Sequence, residues 1–160
     1  MYYDLNFRRN HHDELEFLMP NILENFSLST IVRASIEDIE VVFSSRDVNN
    51  IYNVYISGNC PYFICTAGAE QITVCTPTGS YQFQAPSIAD VVSTVGAGDS
   101  FNAGFSCALI WENVMLEDLP SLGRDAWQRL IATACRFAGE TCRSTENYIP
   151  PSDSPKGENP

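Results

Sequence analysis

The sequence has few basic residues, and it lacks the long apolar runs of a membrane protein. Among 160 residues, 9 are Lys or Arg and 20 are Asp or Glu, so the formal net charge is -11. Nucleic acids and anionic membrane surfaces are bound mainly through Lys and Arg, so neither is expected as a partner. No apolar run approaches the roughly 20 residues of a membrane helix, and the first residues lack the basic and apolar regions of a signal peptide. These absences favour a cytoplasmic protein.

The cysteines do not form the pattern of a metal site. None of the six stands in a C-x-x-C pair, and His11 and His12 are far from any cysteine in the sequence. A zinc site is therefore not expected. Four cysteines lie inside apolar patterns and are predicted to be small buried hydrophobes rather than disulfide partners. These four are Cys65, Cys75, Cys107 and Cys135.

Strand-like and helix-like patterns alternate along the chain. The predicted strands are residues 2–6, 28–34 and 61–65, followed by a hairpin of residues 71–75 and 81–85. The predicted helices are residues 13–26, which Pro20 should break or kink, a short helix after Ser35, the ambiguous residues 47–57, and residues 100–111 and 125–143. Ser35 resembles an N-cap, with Asp38 three residues later. This alternation predicts an α/β sheet with helical crossovers in one domain, and the polar, proline-rich residues 150–160 are predicted to be a disordered tail.

The segment that carries chemistry is Ser93-Thr94-Val95-Gly96-Ala97-Gly98-Asp99-Ser100-Phe101. Two glycines stand where a backbone could approach a ligand closely. The helix that opens directly after them has unpaired N–H groups and a dipole suited to a transferring phosphoryl group. Asp99, in the first turn, could accept the proton of a substrate hydroxyl. The segment thus predicts an anion hole beside a carboxylate base.

Other interpretations of this segment stay open on the residues alone. Gly-x-Gly-Asp before a helix could be a tight turn in which Asp99 is only a cap. The segment is not a phosphate loop of the Gly-Lys-Ser/Thr type, because that tripeptide is missing. It is not a dinucleotide fingerprint either, since Phe101 stands where Gly-x-Gly-x-x-Gly requires its third glycine.

The longer string, which continues with Asn102-Ala103-Gly104-Phe105, resembles the C-terminal signature of the PfkB, or ribokinase-like, carbohydrate kinases. Further segments follow in the order of that family. Asp4-x-Asn6-x-Arg8 resembles its Asp-Pro-Asn-x-Arg strand end, and Arg33-Ala34-Ser35-Ile36-Glu37-Asp38 resembles its Lys-x-Asn/Ser-x-Glu-Glu segment. Thr66-Ala67-Gly68-Ala69-Glu70 resembles its Thr-x-Gly-x-x-Gly nucleotide loop. The resemblance implies a ribokinase-like three-layer α/β/α fold with a mainly parallel sheet.

The resemblance also implies ATP-dependent phosphorylation of a small sugar or sugar acid, with Mg²⁺. Asp99 would be the base, and the amides of Gly96, Ala97 and Gly98 would form the anion hole. Thr66, Gly68 and Ser35 would bind the nucleotide, and Asn6 and Arg8 would lie near the substrate or the transferred phosphate. Glu37 and Asp38 would act on the metal, through water. For some of these residues a structural interpretation stays open: Arg8 as a surface residue, Glu37 and Asp38 as first-turn helix acids, and Thr66 as an ordinary strand end.

The sequence departs from the family pattern in ways that bear on function. Ser93 stands where the family usually has Asp, so dependence on a monovalent cation is doubtful, and Gln71 replaces the last glycine of the nucleotide loop. Family members are about twice as long, so residues 1–149 would be the C-terminal portion, without the N-terminal half and lid. The alternative function is therefore a truncated, non-catalytic nucleotide-binding relative, and the expected partner is a second copy or a companion chain with the missing half.

Overall fold

The computed structural model describes residues 1–145, which divide into two compact units. The first is Met1–Gln84, and the second begins at Ala85. The single-domain prediction remains a prediction, and the predicted tail lies outside the described residues. Within residues 1–145, no helix is long and apolar enough to cross a bilayer.

The first unit is built on a five-stranded sheet. Its strands, in spatial and chain order, are β1 (Tyr2–Asp4), β2 (Ile31–Ser35), β3 (Tyr62–Ala67), β4 (Gln71–Thr76) and β5 (Gly79–Gln84). The β1–β2 and β2–β3 pairs are parallel, whereas the β3–β4 and β4–β5 pairs are antiparallel. The predicted α/β class is confirmed, but the sheet is mixed rather than mainly parallel. The reason is the short connections around β4, which can join only antiparallel strands.

Helical crossovers join the parallel strands of the first unit. The β1–β2 crossover is a 3₁₀ helix (Arg9–Glu14) followed by α1 (Leu15–Ser27), and α2 (Ile36–Phe43) follows β2. The predicted helix at residues 47–57 is α3 (Val48–Ile51) continued by a π-helical segment (Tyr52–Ile56). Side chains from these helices, among them Phe26, Ile39 and Ile51, form the core with one face of the sheet. The sheet contributes side chains such as Val32 and Phe63.

The break predicted at Pro20 does not occur, because α1 runs through this residue. Leu18 and Met19 before the proline pack against the core, and Ile22 and Phe26 after it are buried in the core. Burial of side chains on both sides of Pro20 offsets the backbone hydrogen bond that proline cannot donate.

The second unit contains two long helices that pack against each other. They are α4 (Ala97–Trp111) and α5 (Arg124–Cys142), with a 3₁₀ helix (Leu116–Ser121) between them. The ring of Phe105 stacks on that of Trp127, with a centroid distance of 6.4 Å. A Cβ added to Gly104 would lie 2.8 Å from the Cβ of Phe137 and 2.9 Å from the Cα of Ala134. The missing side chain of Gly104 therefore allows the backbones of α4 and α5 to approach closely.

The predicted burial is confirmed for three of the four cysteines. Cys65, Cys75 and Cys135 are buried free thiols, whereas Cys107 is half-buried. Burial raises the pKa of the Cys65 and Cys75 thiols to about 12 and that of Cys135 to about 11. These three buried thiols are therefore protonated and unreactive near neutral pH.

Candidate active site

The predicted nucleotide-binding residues of the first unit lie where β2 and β3 end. These parallel strands end at the same edge of the sheet, and their register places Ser35 directly opposite Thr66. Thr66 is buried and Ser35 is half-buried. Two residues that are far apart in the sequence are thus neighbours at the carboxyl edge, where open α/β sheets bind ligands.

A buried arginine ties this edge together. Arg33, only 7% exposed, lies in β2 between Asp4 of β1 and Thr66 of β3. Its Nη1 donates to Asp4 Oδ1 at 3.2 Å, and its Nη2 donates to Thr66 Oγ1 at 2.7 Å. One guanidinium therefore links the ends of three adjacent strands.

Asp4 and Arg33 stand within the sequence motifs, but no role was predicted for either. The signal was present, because Arg33 is the one charged residue within the apolar run of residues 28–34. A charged side chain in a buried strand needs a partner of opposite charge. The parallel register places Asp4 directly opposite Arg33.

Gly68 lies in the short turn that follows β3. Its φ is +52°, and a Cβ added there would meet nothing within 4 Å. The glycine is therefore required for its left-handed backbone and not for space. The turn is closed by the Glu70 N–H, which donates to the Ala67 carbonyl at 2.9 Å. This gives an exposed, glycine-containing turn next to Thr66, as the nucleotide-loop resemblance implies.

Ser35 and Asp38 form the predicted cap at the start of α2. The Asp38 N–H donates to Ser35 Oγ at 3.1 Å, and the Ser35 N–H donates to Asp38 Oδ2 at 2.7 Å. This reciprocal pair satisfies two backbone donors of the helix end. Asp38 is buried whereas Glu37 is exposed, so Asp38 has a structural function at one oxygen and Glu37 faces solvent.

The described residues hold no cluster of three or more His, Cys, Asp or Glu side chains that could bind a metal ion by themselves. The metal role of Glu37 and Asp38 stays a prediction. It fits Mg²⁺ in one respect: this ion keeps several waters and is usually held by one or two carboxylates together with substrate phosphates.

Asn6 and Arg8 lie in the segment that leaves β1. Both are exposed, and Asn6 has a left-handed backbone with a φ of 39°. The Leu5 N–H donates to the Arg33 carbonyl at 2.9 Å, so the segment is anchored to β2 immediately before Asn6. Their roles near the substrate or phosphate stay predictions.

In the second unit, the start of α4 carries the predicted anion hole and base. Gly96 is the N-cap with a φ of 79°, and no side chain caps the helix. The Ala97 N–H donates to the Thr94 carbonyl at 3.2 Å, and the first helical bond runs from the Ser100 N–H to the Gly96 carbonyl. The amides of Gly98 and Asp99 precede that bond and are terminal donors of the helix. The expected Ala97 amide is engaged within the turn.

The rest of the motif attaches this end of α4 to α5. Phe101 and Phe105 are buried, and Ser100 Oγ lies 2.6 Å from Oγ1 of the fully buried Thr141. Asp99 is exposed in the first turn. The motif therefore has a packing side, which fixes the helix, and an exposed side, which presents the carboxylate. The Ser100–Thr141 contact joins residues 41 apart and had no signal in the sequence.

Comparison with protein families matches residues 2–154 to the pfkB family of carbohydrate kinases. The chain belongs to this family. No curated protein sequence matches it significantly.

Similar solved structures have the ribokinase-like α/β fold. Aminoimidazole riboside kinase from Salmonella enterica is 20% identical with a TM-score of 0.71, and the match covers 93% of this chain and 48% of that one. Fructokinase with bound ATP from Xylella fastidiosa is 16% identical with a TM-score of 0.75, covering 92% and 48%. A candidate ribokinase II from E. coli, in complex with ATP and Mg²⁺, is 14% identical with a TM-score of 0.66, covering 88% and 41%. The chain thus spans about half the length of the kinases it matches, and the predicted fold class is confirmed.

Proposed function

We propose that this chain provides the nucleotide-binding and catalytic portion of a kinase that transfers the γ-phosphoryl group of ATP to a hydroxyl of a small sugar or sugar acid. The observation that carries the proposal is the start of α4, where Asp99 is exposed beside helix-terminal amides that no side chain caps. Membership of the pfkB family supports it. Three of the similar structures were solved with ATP or an ATP analogue.

In this reaction Asp99 is the general base. Its carboxylate accepts the proton of the substrate hydroxyl, the hydroxyl oxygen bonds to the γ-phosphorus, and the bond from that phosphorus to the β,γ-bridging oxygen breaks to release ADP. The helix-terminal amides stabilise the negative charge of the transferring group. Of the three predicted amides at Gly96, Ala97 and Gly98, that of Ala97 donates to the Thr94 carbonyl, whereas that of Gly98 is a terminal donor of the helix.

The first unit binds the nucleotide through the ends of β2 and β3. Thr66 and Ser35 are adjacent there, and Gly68 brings the following backbone into an exposed turn. Asn6 and Arg8 contribute to the acceptor or to the transferred phosphate. Arg8 is exposed, so its guanidinium is accessible to an anionic ligand and can form charge-assisted hydrogen bonds with it.

We propose that Glu37 contacts the water shell of Mg²⁺. Asp38, which also forms the cap of α2 with Ser35, would contribute a second carboxylate. Bound Mg²⁺ neutralises phosphate charge during transfer. A monovalent cation is not part of the proposal. The Ser93 hydroxyl, which replaces the usual carboxylate, accepts a hydrogen bond from the Val95 N–H at 3.2 Å. ATP and Mg²⁺ chemistry fits the expected cytoplasmic location.

The test is Asp99→Asn with Asp125→Asn as the matched control. Both aspartates are exposed first-turn residues, of α4 and α5 respectively. Each variant is titrated calorimetrically with Mg²⁺ and a non-hydrolysable ATP analogue, and ADP release is measured over a panel of sugars and sugar acids. Asp99→Asn should lower turnover by about 10²- to 10⁴-fold, the usual contribution of general base catalysis. Analogue affinity should stay nearly unchanged, and Asp125→Asn should behave as wild type. An equally active Asp99→Asn variant would refute the role of Asp99.

A second candidate function is nucleotide binding without turnover. It is favoured by the length of the chain, about half that of the kinases it matches, because positioning of the acceptor and exclusion of water supply much of phosphoryl transfer. Here a second copy or a companion chain would complete the acceptor site. Analogue binding without sugar-dependent ADP release, together with sedimentation of the chain as a dimer, would favour this candidate.

A further inference from the structure

We infer that Arg33 is a positioning residue that fixes the Thr66 hydroxyl as a hydrogen-bond donor to an anionic phosphate oxygen of the nucleotide. This inference rests on the proposed nucleotide site. It gives a function to the buried charge of Arg33, which the family motif does not explain. It also specifies that Thr66 contacts the phosphate part of the ligand.

The hydrogen bond between Arg33 and Thr66 has only one possible direction. Arg33 Nη2 can only donate, so the oxygen of Thr66 is the acceptor of the 2.7 Å contact. A hydroxyl that accepts through its oxygen still has its own hydrogen to donate. The Thr66 hydroxyl is therefore oriented as a donor, and a phosphate oxygen is an acceptor.

The charge on Arg33 strengthens this donor. A cation that donates to a hydroxyl oxygen polarises the O–H bond, and such polarisation is larger in a buried site with a low dielectric constant. Both residues are 7% exposed. Arg33 thus acts on a ligand anion through Thr66, and its guanidinium does not need to contact the anion directly.

Asp4 fixes the position of the guanidinium. Its Oδ1 lies 3.2 Å from Arg33 Nη1, and it is the β1 residue opposite Arg33 in the register. Burial raises the pKa of the Tyr2 phenol, while the charge of Arg33 acts in the opposite direction. The planar guanidinium can donate to Asp4 and Thr66 from different nitrogens at once, which the single nitrogen of lysine does much less well.

The first experiment uses Arg33→Lys, which keeps the charge and loses the planar fork. Arg46→Lys is the matched control, since Arg46 of the same unit forms an exposed ion pair with Glu40. Each variant is titrated with Mg²⁺ and a non-hydrolysable ATP analogue, and separately with adenosine. Arg33→Lys should weaken the analogue about tenfold, as expected for a misplaced hydrogen bond to a charged group. Adenosine, which has no phosphate, should bind with unchanged affinity, and Arg46→Lys should change neither.

The second experiment repeats the Arg33→Lys change in two Thr66 backgrounds. Thr66→Ser keeps the hydroxyl, so the loss caused by Arg33→Lys should persist there. Thr66→Val removes the hydroxyl, so Arg33→Lys should cause no further loss in that background. An equal loss in the Thr66→Val background would overturn the inference, because Arg33 would then act by another route.

A third measurement reports on positioning without any nucleotide. The three-bond couplings of the Thr66 methyl group, whose signal disappears in Thr66→Ser, report the χ1 angle of Thr66. Arg33→Lys should average these couplings, and unchanged couplings would overturn the inference. If wild type binds no analogue, the proposed function fails and the phosphate contact of Thr66 fails with it. Averaged couplings in Arg33→Lys would in that case show only that Arg33 orients the Thr66 side chain.

Discussion

Gly104→Ala should destabilise the α4–α5 pair, because the new methyl group has no room. Its carbon would lie 2.8 Å from the Cβ and Cγ of Phe137 and 2.9 Å from the Cα of Ala134. Two of these three atoms are backbone or fixed to it, so rotation of a side chain cannot relieve the overlap. The contact must lengthen to at least 3.4 Å, so the helices must separate locally by about 0.6 Å.

The expected loss follows from two opposing effects. Overpacking a close helix contact costs about 1–3 kcal/mol, and the fixed atoms place Gly104→Ala at the upper end. Alanine regains up to about 1 kcal/mol of helix propensity relative to glycine. The net loss is therefore about 2 kcal/mol, which lowers the Tm of a chain of this length by roughly 4–8 °C.

Gly139→Ala is the matched control for this measurement. Gly139 is a buried residue of α5, but a Cβ there would meet only Ile88, at 3.5 Å. This is ordinary contact, so the control should keep or raise the Tm. Thermal unfolding followed by circular dichroism would compare the two variants with wild type. A Gly104→Ala variant as stable as Gly139→Ala would refute the close-packing argument.

Further predictions concern the first unit. Ser35→Ala should lower the free energy of unfolding by about 1 kcal/mol by removing the cap of α2, and an unchanged urea midpoint would contradict this. Gly68→Ala should cost about 1–2 kcal/mol because its φ is +52°, whereas Gly58→Ala, with equal space and no such φ, should be nearly neutral in the same assay. Burial raises the pKa of Cys65 and Cys75 from 9.0 to about 12. As the pH rises, the unfolded chain therefore loses these thiol protons before the folded chain does. The stability that comes from keeping them is full below about pH 9 and is lost as the pH rises toward 12. A urea midpoint as high at pH 10.5 as at pH 8 would contradict this.

Features that depend on neighbouring residues could be predicted from the sequence. The Ser35–Asp38 cap joins residues three positions apart, and the structure contains it as expected. The helix predicted at residues 125–143 is present as α5 (Arg124–Cys142), in which Trp127, Leu130 and Ile131 are buried on one side. Such patterns are set by helix geometry, so a single segment contains the information.

Features that depend on pairing between distant segments could not be predicted in this way. The start of α4 lies three residues before the predicted residue 100, because Gly96 takes a left-handed backbone that lets the helix begin at Ala97. The contact between Ser100 and Thr141 depends on how two helices pack. The link from Asp4 through Arg33 to Thr66 needs the registers of two strand pairs, which no single segment contains.

For the Asp4–Arg33 pair, the contribution to stability and the contribution to phosphate recognition have to be considered separately. A buried ion pair is weak evidence for stability, because the cost of desolvating both charges can exceed their attraction. The side chains of Arg33 and Asp4 are only 9% and 20% exposed, so both charges are largely removed from water and the intact pair adds little net stability. What apolar residues of the same size could not supply is the donor that orients the Thr66 hydroxyl. The Thr66 hydroxyl thus has two different hydrogen bonds in this proposal. It accepts one from Arg33 within the sheet, and it donates the other to the ligand. The charge-conserving change Arg33→Lys should therefore affect phosphate recognition more than the stability of the sheet, whereas Gly104→Ala should do the reverse.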